Sequence, residues 1–126
     1  MKTLKQCFTE SIYLQPTTPM LCETANIGTN VTGLPVVIWV SVKVPNHARA
    51  QMKFNKNKGN VRNVSDLIPI SIDDNPQILL NNPPKLGITN AEFEEIRAWI
   101  IKNKDILLKF WNSEIQQDTL ILSLKK

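Results

Sequence analysis

The alternation of apolar and polar side chains predicts two adjacent β-strands near the middle of the chain. Residues 34–44 begin apolar throughout and then alternate, so that Trp39, Ser41 and Lys43 share one face and valines the other. Residues 48–54 alternate cleanly between an apolar and a basic face. The apolar face consists of Ala48, Ala50, Met52 and Phe54, and the wet face of Arg49, Gln51 and Lys53. A Pro-Asn turn separates the two runs, and we therefore expect an antiparallel hairpin.

In the C-terminal part of the chain, apolar side chains recur with the period of an α-helix. Thr89 and Glu92 have the spacing of a capping box, and further acids in the first turns suit the positive end of the helix dipole. Large apolar side chains then recur at helical spacing as far as a stop at Asn112: Phe93, Ile96, Trp99, Ile100, Ile106, Leu107, Phe110 and Trp111. We expect one helix of about 20 residues whose aromatic side chains are core, although they could also stack on bases.

The other segments complete an α+β fold, with a small antiparallel β-sheet packed against one long C-terminal helix. Residues 67–72 predict a strand that Pro69 confines to a sheet edge, followed by a turn containing Asp73 and Asp74 and a short strand at 77–80. Residues 118–124 predict a short helix or a final strand. We expect residues 1–25 to form an N-terminal arm and residues 26–126 a single domain.

Composition and segment lengths place the chain among ordinary globular proteins. Its 126 residues are 42% hydrophobic and 21% charged, which suits one domain with one core. Its apolar runs are far shorter than the roughly 18 residues of a membrane span, and no apolar stretch follows the basic residues at the start. These features predict a cytoplasmic protein with no membrane partner.

Neither a metal nor a cofactor is expected. Cys7 and Cys22 are the only cysteines, and together with His47 they cannot complete a four-ligand zinc site. Without a secretory signal, both are expected to be free thiols. The sequence contains no nucleotide-binding glycine motif, hydrolase elbow or zinc-protease motif, which removes the enzyme classes that depend on them.

The charge is unevenly distributed. The net charge is +4, but residues 43–62 form a block with six basic and no acidic side chains. Residues 63–95, which follow, contain six acids and one lysine. The basic block either faces the acidic segment within the fold or binds nucleic acid or an acidic protein. If it binds nucleic acid, the contacts come from Arg49, Lys53, Lys56, Lys58 and Arg62.

His47 is the only histidine in the chain, and it lies where the basic strand begins. Even spacing in a strand places His47, Arg49 and Lys53 on one face. They could form an exposed, solvated surface or hold a phosphate backbone. They could also cleave RNA without a metal, with the imidazole moving a proton and the cations stabilising the phosphorane.

Two segments of the chain resemble a known family. They are VIWV at 37–40 with PNHAR at 45–49, and EEIRAWIIKNK at 94–104 with LLKFWN at 107–112. Together they resemble a family of small uncharacterised prokaryotic proteins often encoded in toxin–antitoxin-like gene pairs, over roughly residues 31–112. Members commonly carry Pro-Pro-His-x-His at the turn, and Arg49 stands at the second histidine position, which argues against two-histidine chemistry.

Three functions follow from these observations. The first is a binding module of a toxin–antitoxin-like system that contacts nucleic acid through residues 47–62. The second is a protein–protein interaction module without a nucleic-acid role, in which the Pro69 edge and the N-terminal arm pair with a cognate protein or a second copy. The third is a small metal-independent ribonuclease with His47 as its catalytic residue.

Overall fold

An antiparallel sheet with helices on one side forms the framework of the protein, which confirms the predicted α+β class. The computed structural model describes residues 24–43 and 49–126. Its four strands pair in chain order, each antiparallel to the one before. They are β1 (Thr24–Ile27), β2 (Ile38–Ser41), β3 (Gln51–Asn55) and β4 (Leu67–Ser71).

The predicted hairpin is present as β2 and β3, with Trp39 paired to Lys53 and Val40 to Met52. Both strands are shorter than the alternating runs that predicted them. The predicted arm at 1–25 overlaps β1, because Thr24 and Ala25 belong to the sheet. The predictions for Cys7, Cys22, His47, the Pro-Asn turn and the first 23 residues fall outside the described residues.

One face of the sheet forms the hydrophobic core, as the strand alternation dictates. Its side chains are almost fully buried: Ala25, Ile27, Ile38, Val40, Met52, Phe54, Ile68 and Ile70. Cross-strand neighbours on this face are all apolar, as in the row Ile27, Ile38, Phe54 and Ile68. This face therefore supplies the surface on which the helices pack.

The helices contribute the other half of the core. A short helix, α1 (Thr29–Thr32), follows β1, and a 3₁₀ turn at Val64–Asp66 precedes β4. Three longer helices follow the sheet: α2 (Asn90–Lys102), α3 (Lys104–Trp111) and α4 (Gln117–Ser123). They bury Ile96, Trp99, Ile100, Leu107, Phe110 and Leu120 against the sheet. The predicted core role of the C-terminal aromatic residues is thus confirmed, and residues 118–124 are helical rather than a strand.

The single long helix of the prediction is wrong, because the segment is divided into α2 and α3 at Asn103. Its beginning is as expected: Thr89 and Glu92 form a capping box, each side chain bonding the other's backbone N–H. Its end at Asn112 is also as expected. The break itself is held by a contact with a distant part of the chain.

Asn103 is 97% buried and satisfies its amide through the backbone. Its Nδ2 donates to the carbonyls of Trp99 and Lys125, at 3.0 and 2.8 Å, and its Oδ1 accepts from the N–H of Lys125 at 2.8 Å. The side chain therefore joins the α2–α3 junction to the segment after α4, and both ends of its buried amide are hydrogen-bonded.

The turn after β4 is attached to the helices by two cations. Arg97 donates to the Pro76 carbonyl and to Asn75, and Lys104 pairs with Asp74 at 2.7 Å. The hydrogen bond that Lys104 donates to Asp74 raises the pKa of Lys104 above its usual value. The turn prediction for Asp73 and Asp74 is confirmed, and neither carboxylate shares a site with the other.

β4 is an edge strand, as predicted from Pro69. Much of the backbone along its free edge is nevertheless covered. Ser71 donates its N–H to the Gln77 carbonyl at 3.0 Å, and Leu79 donates to the Pro69 carbonyl at 2.9 Å. The predicted strand at 77–80 is reduced to one bridge between Ile78 and Ile70. The interaction hypothesis therefore loses the Pro69 edge as an open pairing surface.

Replacing Asn103 with alanine should destabilise the fold by about 1–3 kcal/mol, because the buried hydrogen bond to the Trp99 carbonyl and the part-buried bonds to the Lys125 N–H and C=O are lost. Urea unfolding of the two proteins measures the difference. Asn112→Ala is the matched control, since Asn112 is exposed and its side chain has no hydrogen bond to a described residue. Equal stability of the two variants would contradict a structural role for the Asn103 amide.

Candidate nucleic-acid interface

Three of the five basic residues predicted to bind nucleic acid are in ion pairs with the acidic segment. Arg49 lies 2.8 Å from Asp73, Lys58 lies 2.7 Å from Glu92, and the wider pair of Lys56 and Asp66 is separated by 3.7 Å. This arrangement matches the alternative in which the basic and acidic segments face each other. Arg49, Lys56 and Lys58 thus offer less positive charge to a phosphate than the sequence suggests.

Two of these ion pairs shift the pKa of at least one member. A hydrogen bond from Lys58, with help from the Thr89 backbone, lowers the pKa of Glu92, and the same bond raises the pKa of Lys58. Burial alone would raise the pKa of Asp73, but hydrogen bonds from Arg49, the Asn75 backbone and Ser71 lower it overall. The carboxylates of both pairs are therefore held in their charged form at neutral pH.

The other three cations of the basic block are Lys43, Lys53 and Arg62. The side chains of Lys43, Lys53 and Arg62 form no ion pair with any residue that the structure describes. Lys43 and Arg62 are exposed, and Lys53 is half-buried. Lys53 and Arg62 were among the predicted binding residues, so the structure separates that set into paired and unpaired members.

The unpaired cations lie on or beside the sheet face that the helices leave open, here called the outer face. Its residues alternate with those of the core: Thr24, Asn26, Trp39, Ser41, Gln51, Lys53, Leu67 and Pro69. Each of these eight is exposed or half-buried, whereas Asn55 and Ser71, which the register places on the same face beside Leu67 and Gln51, are fully buried. The outer face has no acidic residue, and Lys43 lies two residues beyond Ser41 at its margin.

Trp39 lies at the centre of the outer face, between Asn26 of β1 and Lys53 of β3. Its side chain is half-buried, and its indole N–H is enclosed without a hydrogen-bond partner among the residues that the structure describes. Any side-chain area that Trp39 exposes is therefore carbon. An aromatic surface surrounded by amide, hydroxyl and ammonium groups results.

Arg62 approaches this face where β1 ends, and Gly28 makes room for it. The position that a Cβ would take on Gly28 lies 3.0 Å from Nη2 of Arg62. Gly28 has an extended backbone, with φ −75° and ψ 165°, so alternation from Asn26 turns that position toward the outer face. Asn60 holds the loop nearby by accepting from the Thr29 N–H and hydroxyl.

The structure thus places Trp39 and Lys53 on the outer face and Arg62 against Gly28 at the end of β1, whereas Arg49, Lys56 and Lys58 point to carboxylates. Trp39 was not singled out from the sequence as a site residue. The signal was the alternation of Trp39, Ser41 and Lys43, which set an aromatic ring and a cation on the polar side of the strand. His47, the predicted catalytic residue, lies outside the described residues.

The described part of the chain has neither a cluster of metal ligands nor a membrane-spanning helix. Within residues 24–43 and 49–126, no three histidine, cysteine or acidic side chains lie close enough together to hold a metal ion. Among the same residues, no helix combines the length and the apolar character needed to cross a bilayer.

Acid should weaken the fold partly through Glu92. Because the folded protein lowers the pKa of this group below its ordinary 4.5, its contribution is complete above that pH and is lost as the pH falls through the folded value. Lys58→Gln should reduce the loss of stability between about pH 5 and about pH 3, measured by urea unfolding. Lys85→Gln, at an exposed loop position, is the control, and an unchanged pH profile in Lys58→Gln would argue against the pair.

Comparison with known proteins returned no match: no family model, no curated protein and no solved structure is similar to this chain.

Proposed function

We propose that this protein is a nucleic-acid-binding module whose interface is the outer face together with Lys43 and Arg62. The observation that supports the proposal is a set of three cations that have no carboxylate partner among residues 24–43 and 49–126, beside a largely polar face whose described residues include no acid. Phosphate groups are the ligands that such a surface attracts most generally. The interface differs from the predicted 47–62 segment by including Trp39 and Lys43 and by leaving out the paired Arg49, Lys56 and Lys58.

The amide and hydroxyl groups of the outer face support the same function. Asn26, Ser41 and Gln51 lie on neighbouring strands around Trp39. Such side chains donate to phosphate and sugar oxygens and also reach base edges. A protein partner rich in carboxylates would be attracted by the cations as well, and this alternative is separated by the experiment below.

The proposal also includes a biological setting, a toxin–antitoxin-like system. The resemblance to a toxin–antitoxin-like family provides a context in which a small nucleic-acid-binding module would act. A ribonuclease would need His47 to act with Arg49 and Lys53, and Arg49 is engaged with Asp73. The geometry therefore favours binding over cleavage.

Binding should depend moderately on salt. Three phosphate contacts give a slope of about −2 in a plot of log affinity against log salt for a single strand, which is about 20-fold between 50 and 200 mM. Fluorescence anisotropy with a labelled oligonucleotide measures this. The combined variant Lys43→Ala, Lys53→Ala and Arg62→Ala should abolish most of the slope, because it removes the unpaired cations.

The matched control is the double variant Lys56→Ala and Lys58→Ala, which removes two cations that already face carboxylates. It should leave the slope close to that of the unchanged protein. A flattened slope in the double variant alone would place the interface in the 47–62 loop instead. Absence of binding even at about 50 mM salt would refute a nucleic-acid function and direct attention to an acidic protein.

A further inference from the structure

Building on the proposed function, we infer that the outer face takes unpaired, single-stranded nucleic acid, with a base stacked on Trp39. Every base has a flat π surface, and stacking on an aromatic side chain is tolerant of sequence. Only an unpaired base can turn that surface toward a protein side chain, because bases within a duplex are covered by their neighbours.

The composition of the exposed ring surface supports stacking. The indole N–H of Trp39 is enclosed, so the ring offers carbon to a ligand and no donor. Exposed aromatic carbon among polar strand residues is stabilised when another flat ring covers it. The neighbouring Asn26 and Lys53 can then contact the edge of the base and its phosphate.

The two cations nearest Trp39 lie on opposite sides of it. Lys53 is directly across on β3, whereas Arg62 reaches the outer face at Gly28, two residues beyond Asn26 on β1. From the spacing of strands and residues, the Lys53 and Gly28 positions are about 12 Å apart. A strand that runs diagonally between the cations therefore passes over Trp39.

The dimensions of the sheet argue against a duplex. Four strands span about 14 Å across, which already exceeds the roughly 12 Å width of the major groove before side chains are added. The outer face thus cannot enter the groove broadside, and a duplex would contact only its rim. A single strand can lie across the face with its phosphates near Lys53 and Arg62.

The experiment compares labelled single-stranded RNA, single-stranded DNA and a DNA duplex of the same sequence by fluorescence anisotropy. We expect both single strands to bind at least about 10-fold more tightly than the duplex, and the ratio of RNA to DNA reports which of them is preferred. Trp39→Leu should weaken single-strand binding by about 5- to 150-fold, because it keeps carbon volume but removes the stacking surface. Trp39→Phe should weaken it less.

Trp99→Phe is the matched control, since Trp99 also has an enclosed indole N–H with no partner in the described part of the chain but belongs to the core. It should leave the affinity unchanged, and thermal unfolding checks that every variant is folded. Equal affinity for single strand and duplex, with no effect of Trp39→Leu, would overturn this inference and leave the proposed function standing. No binding of any of the three probes would overturn both.

Discussion

Burial of one face of the four-stranded sheet by α2, α3 and α4 is the constraint on which the rest of the structure depends. The helices cover the row around Phe54, where its ring lies 6.1 Å from that of Phe93, and the backbone of Lys43 at the end of β2 donates to the Trp111 carbonyl. Because side chains alternate across a strand, the face opposite the helices carries the other set, which is mostly polar and includes Trp39, Leu67 and Pro69. The candidate interface is thus a direct consequence of where the core is.

Some cations of the basic block form ion pairs, and the others have none among the described residues. The reason is that the turns around the sheet bring only part of the block near carboxylates. Arg49, Lys56 and Lys58 connect neighbouring segments, and as surface ion pairs each contributes little to stability. Their effect on the surface potential is larger, since each acid cancels a charge that a ligand would otherwise meet. The six cations of residues 43–62, counted alone, therefore overstate the positive charge that this protein presents to a phosphate.

Local patterns predicted the hairpin, the capping box at Thr89 and the Pro69 edge, because each depends on neighbouring residues alone. The break at Asn103 could not be predicted, since it is stabilised by the backbone of Lys125, 22 residues away. The same limit applies to the interface. Alternation placed Trp39 and Lys53 on polar sides of their strands, but which cations meet acids depends on how Asp73 and Glu92 are positioned by the turns and helices.

Glu92 and Lys58 are under unequal constraint although they form one ion pair. Glu92 accepts from the Thr89 N–H as well as from Lys58, so its carboxylate both begins α2 and anchors a distant loop. Lys58 has the single task of meeting that carboxylate. Among relatives of this chain, position 92 should therefore tolerate few residues besides glutamate and glutamine, whereas position 58 should vary freely in type and length.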